Sequence, residues 1–169
     1  MWEFLHTFGE KIKDVVGLTF AYECKVDDKG RILLPGKLKN ELLPEIEEGF
    51  IIKRSIFSPC LELWPMQEWN IKKADINQLN RFIEKNVIFI RKFLAGVKPV
   101  EVDGTGRINL PKDLMAFAGI EKEVVLTSQL NIIEIWDKAK YEAEIGNIEN
   151  FGQLAEEVMG GVKPQQNLN

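Results

Sequence analysis

The stretch KVDDKGRILLPG at residues 25–36 returns as EVDGTGRINLPK at residues 101–112. Seven of the twelve positions are identical without a gap, at a constant offset of 76 residues. A second pair of segments, LELWP at 61–65 and IEIWD at 133–137, matches at an offset of 72. Self-similarity of this kind indicates a duplication with a small change in loop length. The sequence therefore predicts two copies of one module.

Each copy predicts the same order of local elements. Phe20–Val26 and Pro99–Val102 are predicted to be extended, because β-branched and aromatic residues recur near alternate positions. The tetrapeptides DDKG and DGTG then predict a turn in which glycine can adopt a positive φ. The chain returns as a second short strand that a proline ends, and proline also suits the first turn of the helix that follows.

Helices and two further strands complete each copy. KLKNELL and KDLMAFAG have apolar residues at helical spacing, and Gly119 is a natural end for the second helix. The remaining predicted strands are Phe50–Ile56, Cys60–Trp64, Val124–Thr127 and Ile132–Trp136.

Residues 66–94 and 138–159 are predicted to be mainly helical, and residues 160–169 to be disordered. In the first helical stretch the side chains predicted to share one apolar face are Phe82, Ile83, Asn86, Ile90, Phe93 and Leu94. The tryptophans predicted to anchor the core or an interface are Trp64, Trp69 and Trp136.

The pattern D-x-x-G-R is the most informative one, and it occurs at residues 27–31 and 103–107. The turn-forming residues are Asp27 and Gly30 in the first copy and Asp103 and Gly106 in the second. A plain hairpin with an Asp–Arg pair across its base would explain each turn alone. Because both copies keep the arginine, we favour a second role, in which a planar guanidinium reaches phosphates or guanine edges.

The overall charge opposes a nucleic-acid partner, since the chain carries a net charge of −4 and a pI of about 5.2. The local charge differs between the copies: residues 25–39 carry +3, whereas residues 101–115 carry −1. The first module is therefore expected to make most of the phosphate contacts. The candidate DNA-binding residues are Arg31, Arg107, Lys29, Lys25 and Lys37.

The sequence offers little for catalysis or for a metal ion. Cys24, Cys60 and His6 cannot form a Cys/His zinc site, and we expect both cysteines to be buried, unpaired thiols. We predict no catalytic residues, no metal and no cofactor. No apolar run approaches the ~20 residues of a membrane span, and the charged N-terminus does not resemble a secretory signal. We therefore expect a cytoplasmic protein.

The two D-x-x-G-R-x-x-L-P blocks resemble the AbrB-like swapped-hairpin DNA-binding element. Together with SPCLELWP, RKFLAG, AGIEKEVVL and IEIWD, they resemble the MraZ family of bacterial division and cell-wall cluster regulators over about residues 18–140. The resemblance implies a mainly β fold with flanking helices (α+β), in which tandem AbrB-like swapped hairpins interlock into a pseudo-two-fold β-barrel. It also implies homo-oligomeric rings on the nucleoid that bind direct repeats in double-stranded DNA and repress their own operon.

Two features depart from the family pattern. The basic neighbour in the first hairpin falls on Lys29, but the matching position in the second is Thr105. Residues 1–17 are predicted to be an N-terminal extension, either an extra helix, a lineage-specific arm or the product of a misassigned start. The predicted division of the chain is this extension, module 1 at 18–80, a connecting helix at 81–95, module 2 at 96–145, and a C-terminal helix with a disordered tail at 146–169.

Three alternatives to DNA binding stay open from the residues alone. An antitoxin-like interaction protein shares the hairpin, although it has no need of a complete second module. A purely structural ring would be compatible with the low pI and with Thr105. An enzyme acting on a small polar substrate would lose activity with an Asp or Glu substitution but not with Arg31→Ala.

Overall fold

The computed structural model describes residues 21–147 and 149–161. The predicted N-terminal extension, Phe20 and most of the predicted tail lie outside these residues. The strands are β1 (Ala21–Lys25), β2 (Arg31–Leu33), β3 (Phe50–Arg54), β4 (Leu61–Pro65), β5 (Lys98–Val100), β6 (Arg107–Asn109), β7 (Glu123–Gln129) and β8 (Ile132–Asp137). The helices are α1 (Gly36–Glu41), α2 (Leu43–Glu48), α3 (Met66–Asn77), α4 (Glu84–Leu94), α5 (Lys112–Ala118), α6 (Lys138–Gly146) and α7 (Phe151–Met159).

The larger of two compact units ends at Lys138 and contains every strand. Six strands form one antiparallel sheet in the order β1-β7-β8-β4-β3-β5. The repeat maps β1 onto β5, β3 onto β7 and β4 onto β8, so this order is the same from either end. The prediction of a mainly β core with flanking helices, arranged with pseudo-two-fold symmetry, is confirmed.

The two hairpins exchange their strands. Within each hairpin the only ladder contact is a single bridge, Val26 with Ile32 or Val102 with Ile108. β1 instead pairs with β7 of the other copy, while β2 and β6 pair with each other as a separate two-stranded ribbon. Neither copy can therefore complete its hydrogen bonds without the other.

The ribbon lies over the larger of two apolar clusters. Ile32 and Ile108 face each other at its centre and are 1% and 2% exposed. They share a small apolar cavity with residues of three sheet strands, namely Leu63, Leu126, Ile133 and Ile135. Leu38 of α1 and Leu114 of α5 are fully buried in the same core. Each module thus supplies one half of one hydrophobic core.

The centre of the sheet's pseudo-symmetry holds two carboxylates side by side. Glu62 on β4 is the register partner of Glu134 on β8. Each accepts a hydrogen bond from the indole two residues later, Trp64 Nε1 at 3.0 Å and Trp136 Nε1 at 3.2 Å. Among the residues that the structure describes, an ammonium lies beside Glu62 but not beside Glu134: Lys53 Nζ is 3.2 Å from Glu62 Oε2 and is nearly inaccessible to solvent.

The cysteines follow the prediction in part. Both are free thiols, and Cys60 is fully buried, with its Sγ 3.3 Å from Glu134 Oε2. Burial and the neighbouring carboxylate raise the pKa of the Cys60 thiol far above its ordinary value. Cys24 is only half-buried, because it lies on β1 at the edge of the sheet, which corrects the expectation of full burial.

The helical stretch 66–94 is interrupted, and the connecting helix begins at Glu84 instead of residue 81. Asn80 explains the break: its Oδ1 accepts the N–H of Phe82 at 3.0 Å, and its carbonyl accepts Asn86 Nδ2 at 3.0 Å. The side chains predicted to share one apolar face are also not buried together. Only Phe93 of that set is buried, stacked against Trp69, while Phe82 is fully exposed.

The smaller unit, beginning at Ala139, holds α7 and nearly all of α6. The single helical stretch predicted for residues 138–159 is therefore two helices. Asn150 separates them with a φ of 63°, a left-handed conformation that does not continue a helix. Within the described residues, none of the helices combines the length and the apolar character that a membrane crossing needs.

Candidate nucleic-acid interface

The first D-x-x-G-R turn is held by Asp27. Its Oδ1 accepts the N–H of Lys29 and the N–H of Arg31, each at 2.9 Å. The carbonyl of Asp27 accepts the N–H of Gly30 at 2.9 Å, and Gly30 adopts a φ of 78° that favours glycine. Hydrogen bonds to the charged form, above all from the Arg31 N–H, lower the pKa of Asp27. The base of the hairpin is thus fixed before any ligand arrives.

The second turn repeats this backbone geometry. Asp103 Oδ1 accepts the N–H groups of Thr105 and Arg107 at 2.8 and 2.9 Å, and Gly106 has a φ of 80°. The Thr105 hydroxyl donates to the same oxygen at 2.6 Å. That hydroxyl is the main reason why the pKa of Asp103 falls to about 2. The predicted turn-forming residues therefore occupy equivalent positions in both copies.

The two arginines differ in how they are held. Arg31 Nε donates to Asp27 Oδ2 at 2.9 Å, as a plain hairpin would have it, and the other guanidinium nitrogens stay available. Within residues 21–147 and 149–161, the Arg107 guanidinium has neither a carboxylate nor a hydrogen-bond partner. Arg31 is therefore braced by the aspartate of its own turn, whereas no described carboxylate braces Arg107.

Both arginines lie on the outward face of the β2–β6 ribbon. Arg31 is the register partner of Asn109, and Arg107 is the register partner of Leu33. Because side chains alternate along a strand and Ile32 and Ile108 point into the core, the flanking arginines point outward. Diagonal neighbours of this kind lie about 7 Å apart at their Cα atoms. The major groove of B-DNA is wide enough to admit a two-stranded β-ribbon in general.

Reciprocal backbone hydrogen bonds lock the two turns together. The N–H of Leu34 donates to the carbonyl of Gly106 at 3.0 Å, and the N–H of Leu110 donates to the carbonyl of Gly30 at 2.9 Å. Each turn is therefore anchored by the strand of the opposite copy. The arrangement brings Arg31 and Arg107 to one surface although they are 76 residues apart in the chain.

The three predicted lysines are not all placed alike. Lys29 is exposed within the first turn. Lys37 is exposed in the first turn of α1, and Lys25 is exposed on β1 of the large sheet, outside the ribbon. Lys25 is also the register partner of Glu123, whose charge offsets its own. The structure thus keeps Lys29 beside the arginines and moves Lys25 to a neighbouring surface.

Comparison with known proteins identifies the family. Residues 18–88 and 93–159 match the family described as "MraZ protein, putative antitoxin-like". A Christiangramia forsetii protein named transcriptional regulator MraZ is 56% identical over 147 residues, covering 86% of this chain and 95% of the relative. This chain belongs to the MraZ family. Proteins of the same name from Flavobacterium psychrophilum and Cytophaga hutchinsonii are 53% and 35% identical, covering 86% and 85% of the chain and 94% and 95% of the relatives.

Membership in the MraZ family confirms the resemblance drawn from the repeated blocks and the tandem AbrB-like fold. The family match covers two successive segments of the chain, which follow the two copies of the repeat. It begins at residue 18, so residues 1–17, predicted to be an extension, precede the matched part.

Thr105→Ala tests the difference between the two turns in this MraZ-family chain. Without the hydroxyl, the pKa of Asp103 should rise from about 2 toward its ordinary value of 3.8. The stabilisation that comes from the lowered pKa is present above pH 3.8 and is lost as the pH falls toward 2. The variant should therefore lose this contribution to the stability of the folded turn. NMR titration of the Asp103 carboxyl measures the change, with Asp27 as internal control. An unchanged pKa of Asp103 would contradict the role given to Thr105.

Sequence reasoning missed one residue beside this surface. Lys39 on α1 lies against Gly106 of the second turn. The only signal in the sequence was its basic charge within residues 25–39, which assigned it to the first module.

Proposed function

We propose that this chain is a non-enzymatic, sequence-specific DNA-binding transcriptional repressor. Its targets are the division and cell-wall gene cluster and its own operon, and it binds tandem direct repeats through Arg31 and Arg107. The observation that supports this most directly is the presentation of both arginines on one face of a two-stranded ribbon. The relatives named transcriptional regulator MraZ support regulation of transcription.

The acidic overall charge is compatible with this role. A phosphate backbone responds to the local field, and the ribbon carries two guanidinium groups while its two turn aspartates are engaged by backbone N–H groups. We propose that the protein acts in the cytoplasm at the nucleoid, as a homo-oligomeric ring. Several ribbons on one ring would bind repeated sites multivalently.

Titration of the DNA immediately upstream of the protein's own gene tests the proposal. We expect fluorescence anisotropy to show binding to a labelled duplex that contains this DNA, at least 10³-fold tighter than to a scrambled duplex of equal length. Binding to each duplex should weaken between 50 and 200 mM salt, because cations are released from the phosphates. Repression should appear as reduced output from a reporter fused to the same upstream DNA.

The outcome also separates the alternatives. Equal affinity for both duplexes would remove sequence specificity from the proposal. Failure of the folded protein to bind either duplex would contradict DNA binding altogether and would favour a protein-interaction or antitoxin-like role, which the family description also includes.

A further inference from the structure

Lys39 belongs to the first module in sequence but contacts the turn of the second. A Cβ atom built on Gly106 would lie 3.5 Å from Lys39 Nζ and 3.6 Å from Lys39 Cδ. The residue is half-buried. Among the residues that the structure describes, its ammonium has no carboxylate within 4.0 Å. It is thus a cation beside the second turn that forms no ion pair with a described carboxylate.

The repeat shows that this placement is specific to one half. The offset of 76 maps Lys39 onto Met115 and Lys29 onto Thr105. Met115 lies against the first turn as Lys39 lies against the second, with its Sδ 3.6 Å from a Cβ built on Gly30. The first turn therefore has a lysine within it and a methionine beside it. The second has a threonine within it and a lysine beside it.

Each turn consequently has one ammonium, although the two lysines come from non-equivalent positions. When Lys39 is counted with the second turn, which it contacts, the net charge of residues 25–39 falls from +3 to +2. The net charge assigned to the second window, residues 101–115, then rises from −1 to 0. Asp113, one of the acids counted in the second window, is itself paired with Lys98 Nζ at 2.5 Å. The imbalance between the halves that the sequence suggests is therefore much smaller on the folded surface.

We propose that Lys39 is a DNA-contacting residue, the phosphate-binding cation of the second turn, which the first module supplies across the interlocked ribbon. This inference rests on the proposed function. Lysine binds phosphate as a flexible point charge, so it can reach the backbone from the side of the turn while Arg107 faces the base edges. The second turn then keeps a phosphate contact although it has Thr105 at the position of Lys29. The Thr105 hydroxyl binds Asp103, and Lys39 provides the positive charge.

Lys39→Met tests this, because methionine is the residue that the chain itself places at the equivalent position. At 0.1 M salt, the affinity of the variant should fall about 3- to 10-fold for each ribbon that contacts the DNA. The fall should be the same for the upstream duplex and for a scrambled duplex. The slope of log affinity against log salt should fall in magnitude by about 1 for each ribbon. Lys73→Met, which removes the same charge from the exposed surface of α3, is the matched control and should change neither quantity.

A second variant separates charge from packing. Adding Thr105→Lys to Lys39→Met returns a lysine to the second turn, at the position that Lys29 holds in the first. We expect it to restore the salt slope and most of the affinity. Thermal unfolding of each variant, followed by circular dichroism, shows whether the fold is retained.

The outcomes distinguish this inference from the proposed function. An unchanged salt slope in Lys39→Met, with wild-type binding intact and sensitive to the arginines, would overturn the role of Lys39 alone. A weakened variant that Thr105→Lys does not rescue would mean that Lys39 acts through packing, which also overturns it. Absence of DNA binding by wild type would overturn both proposals.

Discussion

The double variant Arg31→Ala/Arg107→Ala is expected to lose specific DNA binding while it keeps its fold. Each bidentate contact between an arginine and a guanine contributes about 1–3 kcal/mol of discrimination. Loss of both should therefore weaken specific binding by about 2–6 kcal/mol, or roughly 30-fold to more than 10⁴-fold. The titration compares the upstream duplex with its scrambled counterpart, and the loss should be larger for the upstream duplex.

The fold should survive this change because neither guanidinium packs in the core. The Arg31–Asp27 pair is about one-third exposed, and such pairs contribute about 1 kcal/mol or less. Arg81→Ala is the matched control, since Arg81 is exposed and lies on the segment before α4. It should leave binding unchanged. If the double variant bound the upstream duplex as tightly as wild type, the ribbon could not be the surface that reads DNA.

The second large effect is expected at the centre of the six-stranded sheet. Lys53→Met removes an ammonium that donates to the Glu62 carboxylate and to the backbone carbonyl of Arg54. The same Nζ lies 4.4 Å from the centre of the Phe93 ring. Glu62 would then stay buried beside Glu134 without a counter-charge. Loss of one partner of a buried ion pair costs about 3–5 kcal/mol, so the free energy of unfolding should fall by that amount. Urea unfolding measures it.

A second substitution should reverse most of this loss. In Lys53→Met/Glu62→Gln the uncompensated charge is gone, and a neutral pair of similar shape occupies the site. The amide oxygen can still accept the hydrogen bond from Trp64 Nε1. The exposed Lys73→Met should change the free energy of unfolding by less than about 0.5 kcal/mol. Equal destabilisation by the single and double variants would show that packing, and not the buried charge, governs this site.

The local structure of the hairpins could be predicted from sequence because it depends on neighbouring residues. Asp27 and Asp103 accept N–H groups two and four residues later, and Gly30 and Gly106 provide the positive φ that their turns require. Interactions of such short range appear directly in the order of residues. Gly119 ends α5 with a φ of 63° for the same reason.

The partners across the repeat could not be predicted from these local signals. Alternating hydrophobicity places Ile32 on an inward face, but it does not say that Ile108 will lie opposite. Strand exchange was implied only by the family resemblance. Likewise, Lys39 looks like any solvated lysine on a short helix, and only the interlocked turns bring it to Gly106. The break at Asn80 does not follow from the periodicity, because local hydrogen bonds accepted by the Asn80 side chain and carbonyl outweigh the helical pattern around it.

The ribbon also has a polarity that a symmetric dimer would lack. Two identical chains must present self-complementary faces, so a dimer of one hairpin is matched to an inverted repeat. Here the fused halves have diverged: Leu33 stands where the other strand has Asn109, and Lys29 where it has Thr105. In the proposed DNA-binding role, such a face would distinguish the two directions along a duplex. Copies that all point the same way would then require sites that all point the same way, as direct repeats do.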